Sequence, residues 1–160
     1  MLKARVLSFK RLAYNVFSKE GTTKNIPLSE TAKIMILRRI IAEREGELCF
    51  FKNLADKTGF MRQLSEMIKE LFSYGITPEE LLNDDNPDVF LKGKLKDLSL
   101  IYSDYRQFID EGYLADEQTL DILSSKLDES SIVKGSKVWI DGFYGFTPQE
   151  YRIIEKLLKN

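Results

Sequence analysis

Histidine is absent from these 160 residues, and cysteine occurs once, at Cys49. The first absence removes Ser-His-Asp triads, Cys-His dyads and histidine metal sites from the chain. The second removes any iron–sulfur cluster or thiolate zinc site held by this chain alone. A lone cysteine reads instead as a small buried apolar residue in a reducing, cytoplasmic setting. No Gly-x-x-x-x-Gly-Lys-Ser/Thr loop occurs, since "LKGKLK" and "VKGSKV" lack the glycine spacing that cradles phosphates. No apolar run reaches the length of a membrane span, and the start lacks a signal-peptide pattern. An excess of either charge is missing too: 24 Lys and Arg stand against 25 Asp and Glu, a net charge of −1. A domain that grips nucleic acid unaided usually shows a basic excess, so any such surface here must be local.

What is present is mainly helix-forming. "ARVLSF" reads as a short buried strand with Val6, Leu7 and Phe9 apolar, and it runs into a helix carrying Leu12, Ala13, Val16 and Phe17. After "SKEGTTKNIP", Ser29 is placed to cap a helix through about Glu45, with Ile34, Leu37 and Ile41 on one side. Phe60, Leu64, Met67, Leu71 and Tyr74 predict the core stripe of a second helix. Thr77, Pro78 and Glu80 form a capping box that starts another, which "NDDNPD" ends. Leu91, Leu95, Leu98, Tyr102, Tyr105 and Ile109 predict the longest helix, stopped at Gly112. Asp116 caps a short helix through Leu127, "DESSIVKGS" is a loop, and "KVWID" returns to a strand. Thr147, Pro148 and Glu150 then launch "QEYRIIEKLL".

Two strands so far apart make a poor sheet by themselves. The pattern predicts one mainly helical domain over 1–160, taken as a piece of something larger. It has a strand and helix over 1–18, an inserted helical block over 28–127, and a strand and helix over 137–160. The two short strands then belong to a larger α/β sheet that the chain does not complete.

The strand ends carry a resemblance. "RVLSFKRLAYNVF" resembles the strand-and-helix segment of superfamily 1 helicases that contacts the DNA backbone, and "VWIDGFYGFTPQEY" occupies the place of their Walker B motif. "LSETAKIMILRRII", "GFMRQLSEMIKELFSYGITPEEL" and "KLKDLSLIYSDY" are similar to the AddB family, which supplies the second subunit of bacterial AddAB helicase–nucleases. The resemblance covers nearly the whole chain. It implies a helical subdomain of a superfamily 1 helicase-like fold, flanked by strands of a P-loop-type sheet. It also implies a role in processing double-strand DNA ends for recombinational repair, with an AddA-like subunit and single-stranded DNA as partners. In active helicases of this type a glutamate follows the aspartate and orients the attacking water. Here Asp141 is followed by Gly142, a degenerate Walker B that lacks that carboxylate. With no Walker A segment and no nuclease domain, no catalytic residue and no cofactor are expected in this chain. The parent is expected to carry an iron–sulfur cluster and magnesium, with ATP used by the complex.

By the same resemblance, Ser8, Phe9, Arg11 and Tyr14 in the first segment, with Phe143 and Phe146 in the second, are the DNA-contacting residues and the route to reading a Chi sequence. Aromatic faces stack on unpaired bases, while arginine reaches phosphates or base edges. Arg11 and Tyr14 stand three apart on one helical face. Four have a plainer alternative: Phe9 as the end of a buried strand, Tyr14 as core, Ser8 as a helix cap, Phe146 as a hydrophobic staple onto Tyr151. Asp141 is either a magnesium ligand or an acid bonding nearby backbone amides, and with no metal set around it the latter is expected. Arg38, Arg39 and Arg44 are a solvated helix face or a subunit interface. Two rival functions remain: a standalone helical adaptor that binds another protein, and a small magnesium-dependent hydrolase built on Asp141.

Overall fold

The computed structural model describes residues 4–20, 26–83 and 88–159. In chain order its elements are α1 (Phe9–Glu20), β1 (Ile26–Pro27), α2 (Glu30–Glu43), α3 (Thr58–Tyr74), α4 (Val89–Asp110), β2 (Tyr113–Leu114), α5 (Thr119–Leu127) and α6 (Pro148–Lys159). They fall into two compact units, Met1–Asn25 with Asp116–Asn160, and Ile26–Ala115. Mainly helical character is therefore what the apolar spacing specifies. The division runs differently from the expected block, because α5 packs its Leu123 and Leu127 with Ala13, Val16 and Phe17 of α1.

The unit of Ile26–Ala115 is built from α2, α3 and α4. Ser29 caps α2, accepting from the Ala32 amide at 3.2 Å. Leu37, Ile40 and Ile41 of α2 bury against Met61, Leu64, Ile68, Leu71 and Phe72 of α3 and against Leu98, Ile101, Tyr102, Tyr105 and Ile109 of α4. The α3 stripe is corrected by this packing. Met67 and Tyr74, expected in the core, are about half exposed, while Met61, Ile68 and Phe72 take the inward face. Ser65 lies on that face too, its carbonyl accepting from the buried Lys33 ammonium at 2.9 Å. The Thr77–Glu80 capping box forms in both directions, at 2.7 and 3.3 Å. It starts only a 3₁₀ turn over Glu80–Leu82 rather than a helix. Residues 84–87 of the stretch expected to end it, and 21–25 of the earlier polar stretch, lie outside the described residues. Arg39 pairs with Glu43 at 2.7 Å. Arg44 grips Asp104 through two bonds, at 2.7 and 3.1 Å, and Glu47 at 2.9 Å. Hydrogen bonding to Asp104 first, then to Glu47, raises the Arg44 pKa above its ordinary value.

Both predicted flanking strands are corrected. Residues 4–8 and 136–141 have no regular structure and join no ladder among the described residues. A strand exists only through a neighbour's N–H and C=O groups, and none is supplied here. Their apolar side chains stay in solvent, Val6 at 95% and Trp139 at 79% exposure. The described ladder is instead a short parallel pairing of β1 with β2, Ile26 opposite Tyr113 and Pro27 opposite Leu114. Asp116 opens a 3₁₀ turn before α5 and forms an ion pair with Lys10, and no side-chain cap of α5 is made.

Cys49, expected to be buried, is exposed. Its backbone matters more than its thiol. The Asp97 carboxylate, only 1% exposed on α4, accepts from the amides of Cys49 at 3.1 Å, Phe50 at 2.7 Å and Phe51 at 3.0 Å. A buried carboxylate is tolerated when amides surround it, and here it fastens the α2–α3 connection to α4. Replacing Asp97 by Ala strands three amides at once and should cost about 3 kcal/mol. Urea unfolding followed by circular dichroism measures this, and a loss under about 1 kcal/mol would show that the loop holds itself.

Candidate nucleic-acid interface

The site is built within the unit formed by the two chain ends. Ser8 caps α1, its hydroxyl accepting from the Arg11 amide at 3.3 Å and its carbonyl from the Leu12 amide at 2.9 Å. Ala13, Val16 and Phe17 face a core shared with Leu123, Leu127, Val133 and Ile153. Arg11 and Tyr14 fall elsewhere on the helix and stay exposed. With Arg5, Val6, Leu7 and Asn15 they line an open groove of about 550 Å³. No described acid pairs with Arg5 or Arg11, whereas Lys10 between them is engaged by Asp116.

The second segment is positioned by its own turn chemistry. The Gly142 amide donates to Asp141 Oδ1 at 2.8 Å. Gly142 has φ +80°, a left-handed conformation that costs any residue with a Cβ roughly 1–2 kcal/mol. Local backbone geometry therefore favours glycine at this position. The Thr147–Glu150 capping box closes at 2.9 and 3.3 Å and starts α6. Gln149, buried in the first turn, donates to the Glu117 carbonyl at 3.0 Å and to Asp121 at 2.8 Å, anchoring α6 to the α5 region.

Three phenylalanines join the two segments. Phe9 lies 5.4 Å from Phe143 and 6.3 Å from Phe146, centroid to centroid, and Phe143 lies 5.0 Å from Phe146. Phe146 also meets Tyr151 at 5.5 Å, the staple contact across the α6 cap. The residues singled out in the sequence thus divide by role. Phe9, Phe143 and Phe146 come together, and Arg11 and Tyr14 line the groove with Arg5 and Asn15. Ser8 has a capping role, and Asp141 bonds its neighbour's amide. Among the described residues no group of three or more acidic or cysteine side chains is disposed to hold a metal ion. Arg5 and Asn15 were missed. Arg5 stands inside a stretch read as a buried strand and Asn15 beside Tyr14, and neither carries a motif of its own.

The groove presents guanidinium and phenol groups, and the comparisons with known proteins agree on one family. The family profile described as "ADDB, N-terminal" matches residues 1–160. The chain is 42% identical over 161 residues to the AddB polypeptide of the ATP-dependent helicase/deoxyribonuclease of Clostridium tetani. It is 39% identical over 160 residues to the corresponding polypeptide from Alkaliphilus metalliredigens, and 38% identical to that of Caldanaerobacter subterraneus. At least 98% of this chain is covered in each case, but only 14% of each relative. The chain belongs to the AddB N-terminal family.

The aromatic cluster makes a direct prediction. Phe9→Ala removes two ring contacts from a partly buried site and should cost about 2 kcal/mol, with Phe9→Leu recovering about half. Denaturant unfolding of both variants tests this, and equal stability of Phe9→Ala and wild type would mean that the rings do not hold the segments.

Proposed function

We propose that this chain is the non-catalytic, helicase-like part of an AddB subunit, and that it holds single-stranded DNA while a larger helicase–nuclease processes broken ends. The observations that support the reading are the meeting of Phe9 with Phe143 and Phe146, and the groove lined by Arg5, Arg11, Tyr14 and Asn15. Aromatic faces with unpaired cations suit a strand whose bases are free to stack. The same surface is proposed to take part in reading the Chi sequence. An AddA-like subunit supplies the working motor in this account, with ATP, magnesium and the iron–sulfur cluster held outside this chain.

The exposed flanking segments support the helicase-like placement. Val6, Leu7, Val138, Trp139 and Ile140 are apolar and solvent-facing, as outer strands are before the rest of a sheet covers them. A standalone adaptor would be expected to close over such residues. No described helix is long and apolar enough to cross a membrane, and the protein is proposed to act in the cytoplasm.

The test is fluorescence anisotropy with a single-stranded oligonucleotide across a salt series, using the full-length subunit. Arg11→Ala combined with Tyr14→Ala should weaken binding about tenfold or more, since one stacked base is worth roughly 1–3 kcal/mol. The salt slope should fall by about 0.7 for one lost phosphate contact. Unchanged affinity and slope would contradict the reading.

A further inference from the structure

The groove of the unit formed by the chain ends holds one residue that neither folding nor charge explains. Asn15 stands in the middle of α1, where a carboxamide is disfavoured because it competes for backbone groups that the helix already uses. The side chain is partly buried, yet no described residue hydrogen-bonds to its carboxamide. A carboxamide kept for solubility would face water fully, and one kept for packing would be bonded.

Its neighbours are groups that a nucleotide could use. Arg11 precedes Asn15 by four residues and Tyr14 by three, which on a helix sets its Cβ about 5–6 Å from each of theirs. All three line the groove with Arg5, Val6 and Leu7, and no acid is among these residues. Of the acids that meet α1, Asp116 is taken by Lys10, and Glu20 by Ser130 and Ser131. The Tyr14 ring is 52% exposed and open to stacking. A ring face and a guanidinium accept any stacked base and any phosphate. The carboxamide differs from both, because it carries a donor and an acceptor side by side in fixed directions.

We infer that Asn15 is the base-selecting residue of this groove and that it favours adenine, resting on the single-strand reading above and deepening it. Adenine presents an amino donor next to a ring-nitrogen acceptor, which the carboxamide oxygen and amide group meet together. An unpaired strand leaves that edge open. Tyr14 stacks on the base, Asn15 takes its edge, and Arg11 between them takes the adjoining phosphate.

The experiment uses the full-length subunit and thymidine oligonucleotides that carry one central adenine, one central cytosine, or neither, read by fluorescence anisotropy. The wild type should bind the adenine-bearing strand about fivefold or more tightly than the all-thymidine strand, as expected for one bidentate base contact. Asn15→Leu, close in size, should abolish that preference with the salt slope unchanged, because no phosphate contact is lost. Asn15→Asp cannot donate and should shift the preference toward cytosine, whose amino group needs only an acceptor. Asn15→Gln keeps the donor–acceptor pair and should retain a preference for adenine. Each readout is a ratio of affinities, so partial loss of folded protein, followed by thermal melting, does not imitate it. Equal wild-type binding of the three strands overturns the inference, as does an adenine preference that survives in Asn15→Leu. In either case the strand-holding reading still stands if Arg11→Ala with Tyr14→Ala weakens binding of every strand. Wild-type protein that binds none of the strands overturns both.

Discussion

Three phenylalanine rings hold together two segments that are far apart in the sequence, and the candidate site depends on that contact. Phe9 follows directly on the capping serine of α1, while Phe143 and Phe146 bracket the turn that leads into α6. Each ring pair contributes about 0.5–1.5 kcal/mol beyond the area it buries. A polar junction at this place would have to satisfy its groups in a setting open to water. Rings tolerate partial exposure, so the junction can be stable and still present aromatic surface. The Ser8 cap and the Thr147–Glu150 box act on the same junction by fixing where each helix starts. With both starts fixed, Arg11 and Tyr14 are displayed by geometry rather than by a flexible loop.

Apolar flanking segments left in solvent are the second constraint. Val6 and Trp139 have no core to enter, and their backbones have no ladder partner among the described residues. Such stretches are a liability in isolation, because exposed apolar edges recruit other chains. The chain spans 14% of the length of the curated relatives it matches, and longer proteins have ample sequence from which to supply a cover. The unit of Ile26–Ala115, by contrast, closes its own core through α2, α3 and α4.

How legible this was depended on how local each determinant is. Capping residues act within four positions, so Ser29, Thr77 and Thr147 were readable directly. Yet the Thr77 box starts a single turn, because a cap satisfies the first amides and cannot supply an apolar face to extend the helix. The α4 stripe of Leu98, Tyr102, Tyr105 and Ile109 was clear because one face is apolar over many turns. α3 carries apolar residues on more than one stripe, and only packing against α2 and α4 chose Met61 and Ile68 over Met67 and Tyr74. Non-local features were invisible. The pairing of Ile26–Pro27 with Tyr113–Leu114 is too short to leave a pattern, and nothing near Asp97 announces that it receives amides from residues 49–51. For the site, the helicase resemblance pointed to Phe9, Arg11, Tyr14, Phe143 and Phe146, while Arg5 and Asn15 became visible only once α1 and the segment before it shared a groove.

The most direct measurement is photocrosslinking of iodouracil-substituted single-stranded DNA to the full-length subunit, with crosslinked peptides mapped by mass spectrometry. If the joined segments form one strand-holding site, adducts appear both within residues 5–15 and within residues 142–147, and excess unlabelled single strand suppresses them together. Adducts that avoid both stretches, or that occur in one and are unaffected by competitor, would contradict the account.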